Sequence, residues 1–105
     1  MISEQAFVHP NAEIGKNVTI DAFAYIDENV VIGDGTHIYP HATVLSGARI
    51  GKNCNIFPGA VISAIPQDLK FIGEETTAVI GDNTTIRECA TVNRGTASKG
   101  TTIVG

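Results

Sequence analysis

The sequence contains no tryptophan, one methionine and only two cysteines in 105 residues. Cys54 and Cys89 form no CxxC pair and no metal-ligand spacing. That argues against a disulfide scaffold or a cysteine metal site, and both thiols are expected to be reduced and structural. Charge is scarce as well. Charged residues make up 17% of the chain and the formal net charge is -4, the wrong sign for binding nucleic acid or an anionic membrane surface. No apolar run is long enough to span a bilayer, and the opening MISEQAF has neither the basic start nor the apolar stretch of a signal peptide. The expectation is a cytoplasmic protein without membrane insertion. The length allows one domain, residues 1–105, with a single core.

Glycine is abundant, with eleven residues, and so is repetition. Written in sixes from Phe7, the chain reads FVHPNA EIGKNV TIDAFA YIDENV VIGDGT HIYPHA TVLSGA RIGKNC NIFPGA. The second place of each hexad is aliphatic: Val8, Ile14, Ile20, Ile26, Ile32, Ile38, Val44, Ile50, Ile56 and Ile62. The sixth place is small or β-branched throughout, Cys54 included. These two positions lie two residues apart across the hexad boundary, hence on the same face of an extended strand, and both are expected to point inward. The fifth place is Asn or Gly at Asn11, Asn17, Asn29, Gly35, Gly47, Asn53 and Gly59. Those residue types tolerate the positive φ that a sharp corner needs. Short strands alternating with corners predict an all-β coil of parallel strands. An α-helix would need spacings of three and four, and an antiparallel sandwich would show period two with irregular strand spacing.

The count lapses after Ile62 and returns at Ile80, Ile86 and Val92. Continuing it through AIPQDLKFIGEE would aim Asp68 and Glu74 into an apolar core. An unpaired buried carboxylate costs several kcal/mol or more. Residues 64–78 are therefore expected to leave the coil as a loop, and residues 95–101 as a second one. On the residues alone, Asp68 and Lys70 read either as solvated loop charges or as members of a site. The distribution of cations favours an anionic ligand: of seven Lys and Arg residues, Lys70, Arg87, Arg94 and Lys99 fall between 70 and 99.

The hexads resemble those of the hexapeptide-repeat transferases, which implies a single-stranded left-handed parallel β-helix of triangular section. Residues eighteen apart would then stack, with Val8, Ile26 and Val44 on one face. QDLKF at 67–71, IGD at 80–82 and TVNRGT at 91–96 occur in the order found in UDP-N-acetylglucosamine O-acyltransferases, a much more specific likeness. That resemblance implies transfer of an (R)-3-hydroxyacyl group from acyl carrier protein to the 3-hydroxyl of UDP-N-acetylglucosamine, the first step of lipid A biosynthesis. It also implies a homotrimer with the QDLK loop facing a cleft between subunits, and no metal or redox cofactor. Gln67, Asp68 and Lys70 match positions that contact the sugar and the hydroxyacyl group. Where many members carry histidine, this chain has Asn93, which donates a hydrogen bond but carries no proton near neutral pH. Arg94 is retained, as a ligand contact or a structural pairing.

A sugar hydroxyl needs a base during attack on a thioester, and histidine suits that task. His9, His37 and His41 are the histidines present, and each matches a scaffold position in the family. The resemblance makes the chain an N-terminal portion, with the catalytic histidine expected beyond residue 105 and the fragment inactive alone. Three other readings stand beside it. They are a hexapeptide-repeat N-acyltransferase, a carbonic-anhydrase-like zinc protein, and a non-catalytic trimerising scaffold. His37 and His41, one on a face and one at a corner, converge poorly on a metal.

Overall fold

The computed structural model describes residues 1–64, 77–93 and 101–104. Among them are fourteen short strands and no helix. One sheet contains β1 (Phe7–Val8), β4 (Tyr25–Ile26), β7 (Thr43–Val44), β10 (Val61–Ala64) and β13 (Thr91–Asn93). A second contains β2 (Glu13–Ile14), β5 (Val31–Ile32), β8 (Ala48–Ile50), β11 (Thr77–Ile80) and β14 (Thr101–Val104). The third contains β3 (Thr19–Ile20), β6 (His37–Ile38), β9 (Asn55–Ile56) and β12 (Thr85–Ile86). All the pairings are parallel and join strands three apart in chain order, so the chain visits the three sheets in turn. The result is a three-sided coil.

The hexad explains the register. Val8 pairs with Ile26, Ile26 with Val44 and Val44 with Ile62, each step eighteen residues. Ile20, Ile26, Ile32, Ile38, Val44, Ile56 and Ile62 are all at most 1% exposed. Burying each such side chain contributes roughly 1.5–3 kcal/mol. The sixth-place residues Val18, Ala24, Val30, Thr36, Ala42, Ala48, Cys54 and Ala60 fill the inside of the corners. Val8, Ala12 and Ile14 are only half-buried, because they lie in the first coil and are covered from one side.

Corners carry the left-handed conformation, as expected at Asn17, Asn29, Gly35, Gly47, Asn53 and Gly59. Asn11 does not adopt it; its N–H donates instead to Nδ1 of His9 at 3.0 Å. Phe23, His41 and Cys89 do adopt it, with φ of 65°, 64° and 57°, although their side chains give no local reason. The position within the coil imposes the conformation on them at a cost of about 1–2 kcal/mol each. Phe23 and His41 recover part of it by stacking, ring centroids 5.3 Å apart.

Two insertions lengthen the step beyond eighteen. Ile50 pairs with Ile80, Ile56 with Ile86 and Ile62 with Val92, thirty residues apart, while Ile80 pairs with Val104, twenty-four apart. The coil therefore accommodates twelve additional residues between β10 and β11, and six between β13 and β14. Its strands reclaim residues that the sequence assigned to loops at 64–78 and 95–101. Ala64 closes β10, Thr77 and Ala78 open β11, and Thr101 opens β14. Ala78 is 0% exposed. It fills the sixth place of a hexad begun at Val61, so the count resumes there rather than at Ile80. The connections themselves, 65–76 and 94–100, lie outside the described residues.

Candidate functional site

Both long connections start from one sheet and return in the next. Because β10 pairs with β13 and β11 with β14, their ends stack: Ala64 lies opposite Asn93 and Thr77 opposite Thr101. Of the five residues picked from the sequence, Gln67, Asp68, Lys70 and Arg94 lie outside the described residues. Asn93 is described through its backbone, as the last residue of β13. The chain ends that lead to all five are thus brought together at one corner of the coil.

The floor of that corner is built by the coil below. The Leu45 N–H donates to the Ile62 carbonyl at 2.9 Å, and the Ala78 N–H to the Gly47 carbonyl at 3.0 Å. The Ser63 hydroxyl donates to the Ser46 carbonyl at 2.7 Å. Two residues of β8 and its preceding corner stiffen the floor. Arg49 Nη1 donates to the Asn29 carbonyl and Nη2 to Asn29 Oδ1, both at 2.7 Å. The Gly47 N–H reaches the same Asn29 carbonyl at 2.9 Å. Sequence reasoning named none of Ser46, Ser63 and Arg49, because nothing in the hexad count marks a side chain that turns back onto the backbone.

The cation argument loses one member. Arg87 follows β12 on the third sheet, with its guanidinium carbon 4.9 Å from the Phe57 ring centroid and Nε 3.0 Å from Glu88 Oε1. Glu88 is held below the usual carboxylate range, first by a backbone hydrogen bond and then by Arg87. Lys70, Arg94 and Lys99 lie outside the described residues. Arg87 instead ends a ladder across the third sheet. Tyr39 and Phe57 rings lie 4.8 Å apart, His37 stacks on Tyr39 at 3.9 Å, and His37 Nε2 meets Asp21 Oδ2 at 2.6 Å.

The histidines occupy contacts away from the corner. His9 receives the Asn11 N–H, His37 is paired with Asp21, and His41 stacks on Phe23. Among the described residues no three His, Cys, Asp or Glu side chains stand together as a metal-ligand set. Cys54 is buried and donates from Sγ to the Gly81 carbonyl at 3.1 Å, whereas Cys89 is exposed; both are free thiols. No helix among the described residues is long and apolar enough to cross a membrane.

The family model for bacterial transferase hexapeptide (six repeats) matches residues 11–46 and 29–64. The acyl-(acyl-carrier-protein) UDP-N-acetylglucosamine O-acyltransferase of Sulfurimonas denitrificans is 61% identical over 105 residues, 99% of this chain and 40% of that protein. The enzyme of the same name from Xylella fastidiosa is 56% identical over 100 residues, 95% of this chain and 38% of that one. A crystal structure of a UDP-N-acetylglucosamine acyltransferase from Bacteroides fragilis superposes with a TM-score of 0.98 at 65% identity, covering 100% of this chain and 41% of its own. The enzyme from Francisella novicida superposes at 0.96 with 45% identity. The chain spans about two fifths of the length of these relatives. The coil is accordingly the left-handed parallel β-helix of the hexapeptide-repeat structures. With its hexads matched over more than half of its length and seated in the coil as that pattern requires, the chain belongs to the bacterial transferase hexapeptide family.

Proposed function

We propose that the protein transfers an (R)-3-hydroxyacyl group from acyl carrier protein to the 3-hydroxyl of UDP-N-acetylglucosamine, the first step of lipid A biosynthesis. The observation that carries this reading is the 65% identity at a TM-score of 0.98 with a UDP-N-acetylglucosamine acyltransferase, sustained over the whole chain. A general hexapeptide fold alone would leave the substrate open, since one fold serves many chemistries. Gln67, Asp68 and Lys70 bind the sugar and the hydroxyacyl group, and Arg94 contacts ligand. Asn93 positions substrate through a hydrogen bond and takes no proton. The base that deprotonates the sugar hydroxyl lies beyond residue 105. The active unit is a cytoplasmic homotrimer that uses no metal or redox cofactor: acyl transfer changes no oxidation state, and a general base with N–H donors to the oxyanion suffices for attack on a thioester.

The test is acyl transfer from hydroxyacyl carrier protein to UDP-N-acetylglucosamine by the full-length gene product. Asp68→Ala should lower kcat/KM by roughly ten- to a hundredfold, the worth of a hydrogen bond between the carboxylate and substrate. Its melting temperature should change little, since a loop charge, as the sequence predicts for Asp68, shifts stability by only about 0.5 kcal/mol. The 105-residue chain, assayed at equal trimer concentration, should not turn over. Full activity in Asp68→Ala would remove that residue from the site, and turnover by the 105-residue chain would bring His37 and His41 back as candidate bases.

A further inference from the structure

Ten of the eleven left-handed residues among those described occupy the fifth place of a hexad, where a corner requires that conformation. Ser63 is the exception. It stands in the third place, on a strand, with φ of 66°. It is 0% exposed, and its hydroxyl is spent on the Ser46 carbonyl of the coil below. The pairing of β10 with β13 slips at this residue. Ile62 faces Val92 and Ala64 faces Asn93, so Ser63 is passed over. A bulge of this kind re-aims the chain beyond it, and strain of this kind persists only where the surroundings enforce it.

We propose that Ser63 is a positioning residue for the acyl-transfer site, an inference that rests on the function proposed above. Without the slip, Asn93 would lie against Ser63, and the two long connections would leave the coil out of step by one residue. With it, Ala64 and Asn93 stand side by side as the last strand residues before the segments that contain Gln67, Asp68, Lys70 and Arg94. Ser63 touches no reactant in this role. It sets the relative placement of two chain exits, and a misplacement near 1 Å in a reacting group lowers turnover by about a hundredfold. The left-handed conformation carries the effect, and the hydroxyl bond to Ser46 holds a non-glycine residue in it.

Three variants of the full-length gene product test this, assayed well below their melting temperatures. Ser63→Ala removes the bond that holds the strained conformation, and kcat/KM should fall by about tenfold or more. Ser63→Gly accepts the conformation without help and should stay within about threefold of wild type. Gly59→Ala is the control for strain alone. It forces a side chain into φ of 77° at an ordinary corner, so it should lower the melting temperature as Ser63→Ala does while leaving kcat/KM unchanged. Wild-type kcat/KM in Ser63→Ala, or an equal loss in Gly59→Ala, would overturn the proposal. Absence of transfer by the wild-type protein would instead reject the proposed function. Amide exchange across Thr91–Asn93 then decides the role of Ser63. Protection lost in Ser63→Ala and kept in Ser63→Gly supports it, and protection unchanged in Ser63→Ala refutes it.

Discussion

Inside the corners, small residues do more than fill space. Thr36 is 0% exposed; its hydroxyl donates to the Gly51 carbonyl at 2.7 Å and accepts the Cys54 N–H at 3.2 Å. One coil further on, Cys54 Sγ repeats the donation to the Gly81 carbonyl. Thr36→Val keeps the shape and strands both backbone groups, so it should destabilise by about 1–3 kcal/mol in a denaturant titration. A neutral result would mean that the two backbone groups find other partners. Glycine at Gly33 answers a different demand. A Cβ there would stand 2.6 Å from the Gly51 carbonyl carbon and 2.9 Å from the Lys52 nitrogen. Backbone cannot give way as a flexible side chain does, so Gly33→Ala should cost about 1–3 kcal/mol by the same measurement.

Two-residue strands cannot hold a coil by themselves, and the corners between them are tied across coils. Asp34 Oδ1 accepts the Lys16 N–H and Asp82 Oδ1 accepts the Lys52 N–H, each at 2.8 Å. Arg49 ties the opposite end of β8 to the corner at Asn29. Arg49→Met keeps the apolar stem and removes the donors. The Asn29 carbonyl retains the Gly47 N–H, so the loss should be moderate, about 1–2 kcal/mol for charge-assisted bonds. Thermal unfolding of the variant measures it, and an unchanged midpoint would show that the guanidinium serves only as cover.

For the whole molecule, the prism and the long connections are separable. Joining Ala64 directly to Thr77 yields the hexad VISATA, with Ala78 in its buried sixth place, and restores a step of eighteen. Deleting 65–76, with Thr77→Asn to suit the corner, should therefore leave the β-sheet circular dichroism intact. Shortening the connection also lowers its closure entropy slightly. Acyl transfer by the full-length product should be abolished, because the proposed substrate contacts Gln67, Asp68 and Lys70 are gone. Loss of fold in this deletion would show that the coil depends on residues 65–76.

The coil is legible in the hexads alone. A hexad of aliphatic, small and turn-forming residues reports burial and local φ preference, and both are properties of single positions. With the triangular section that the family resemblance adds, it places Val8, Ile26 and Val44 in one stack, and Asp68 and Glu74 stand out as breaking the rule. Whatever depends on which coil lies above which emerges only on folding. Phe23, His41 and Cys89 turn left-handed in the column they share with Gly59, while Asn11, in the first coil of the column of Asn29 and Gly47, does not. Ala78 rejoins the core two residues earlier than the aliphatic count suggests, since a lone alanine carries no period of its own. Arg87 follows β12 of the third sheet, whereas Ala64 and Asn93 end strands of the first. Asn93 meets Ala64 across a slip at Ser63, twenty-nine residues apart in the chain. No local preference specifies such a pairing; it follows from the register between strands, which exists only once the coils are stacked.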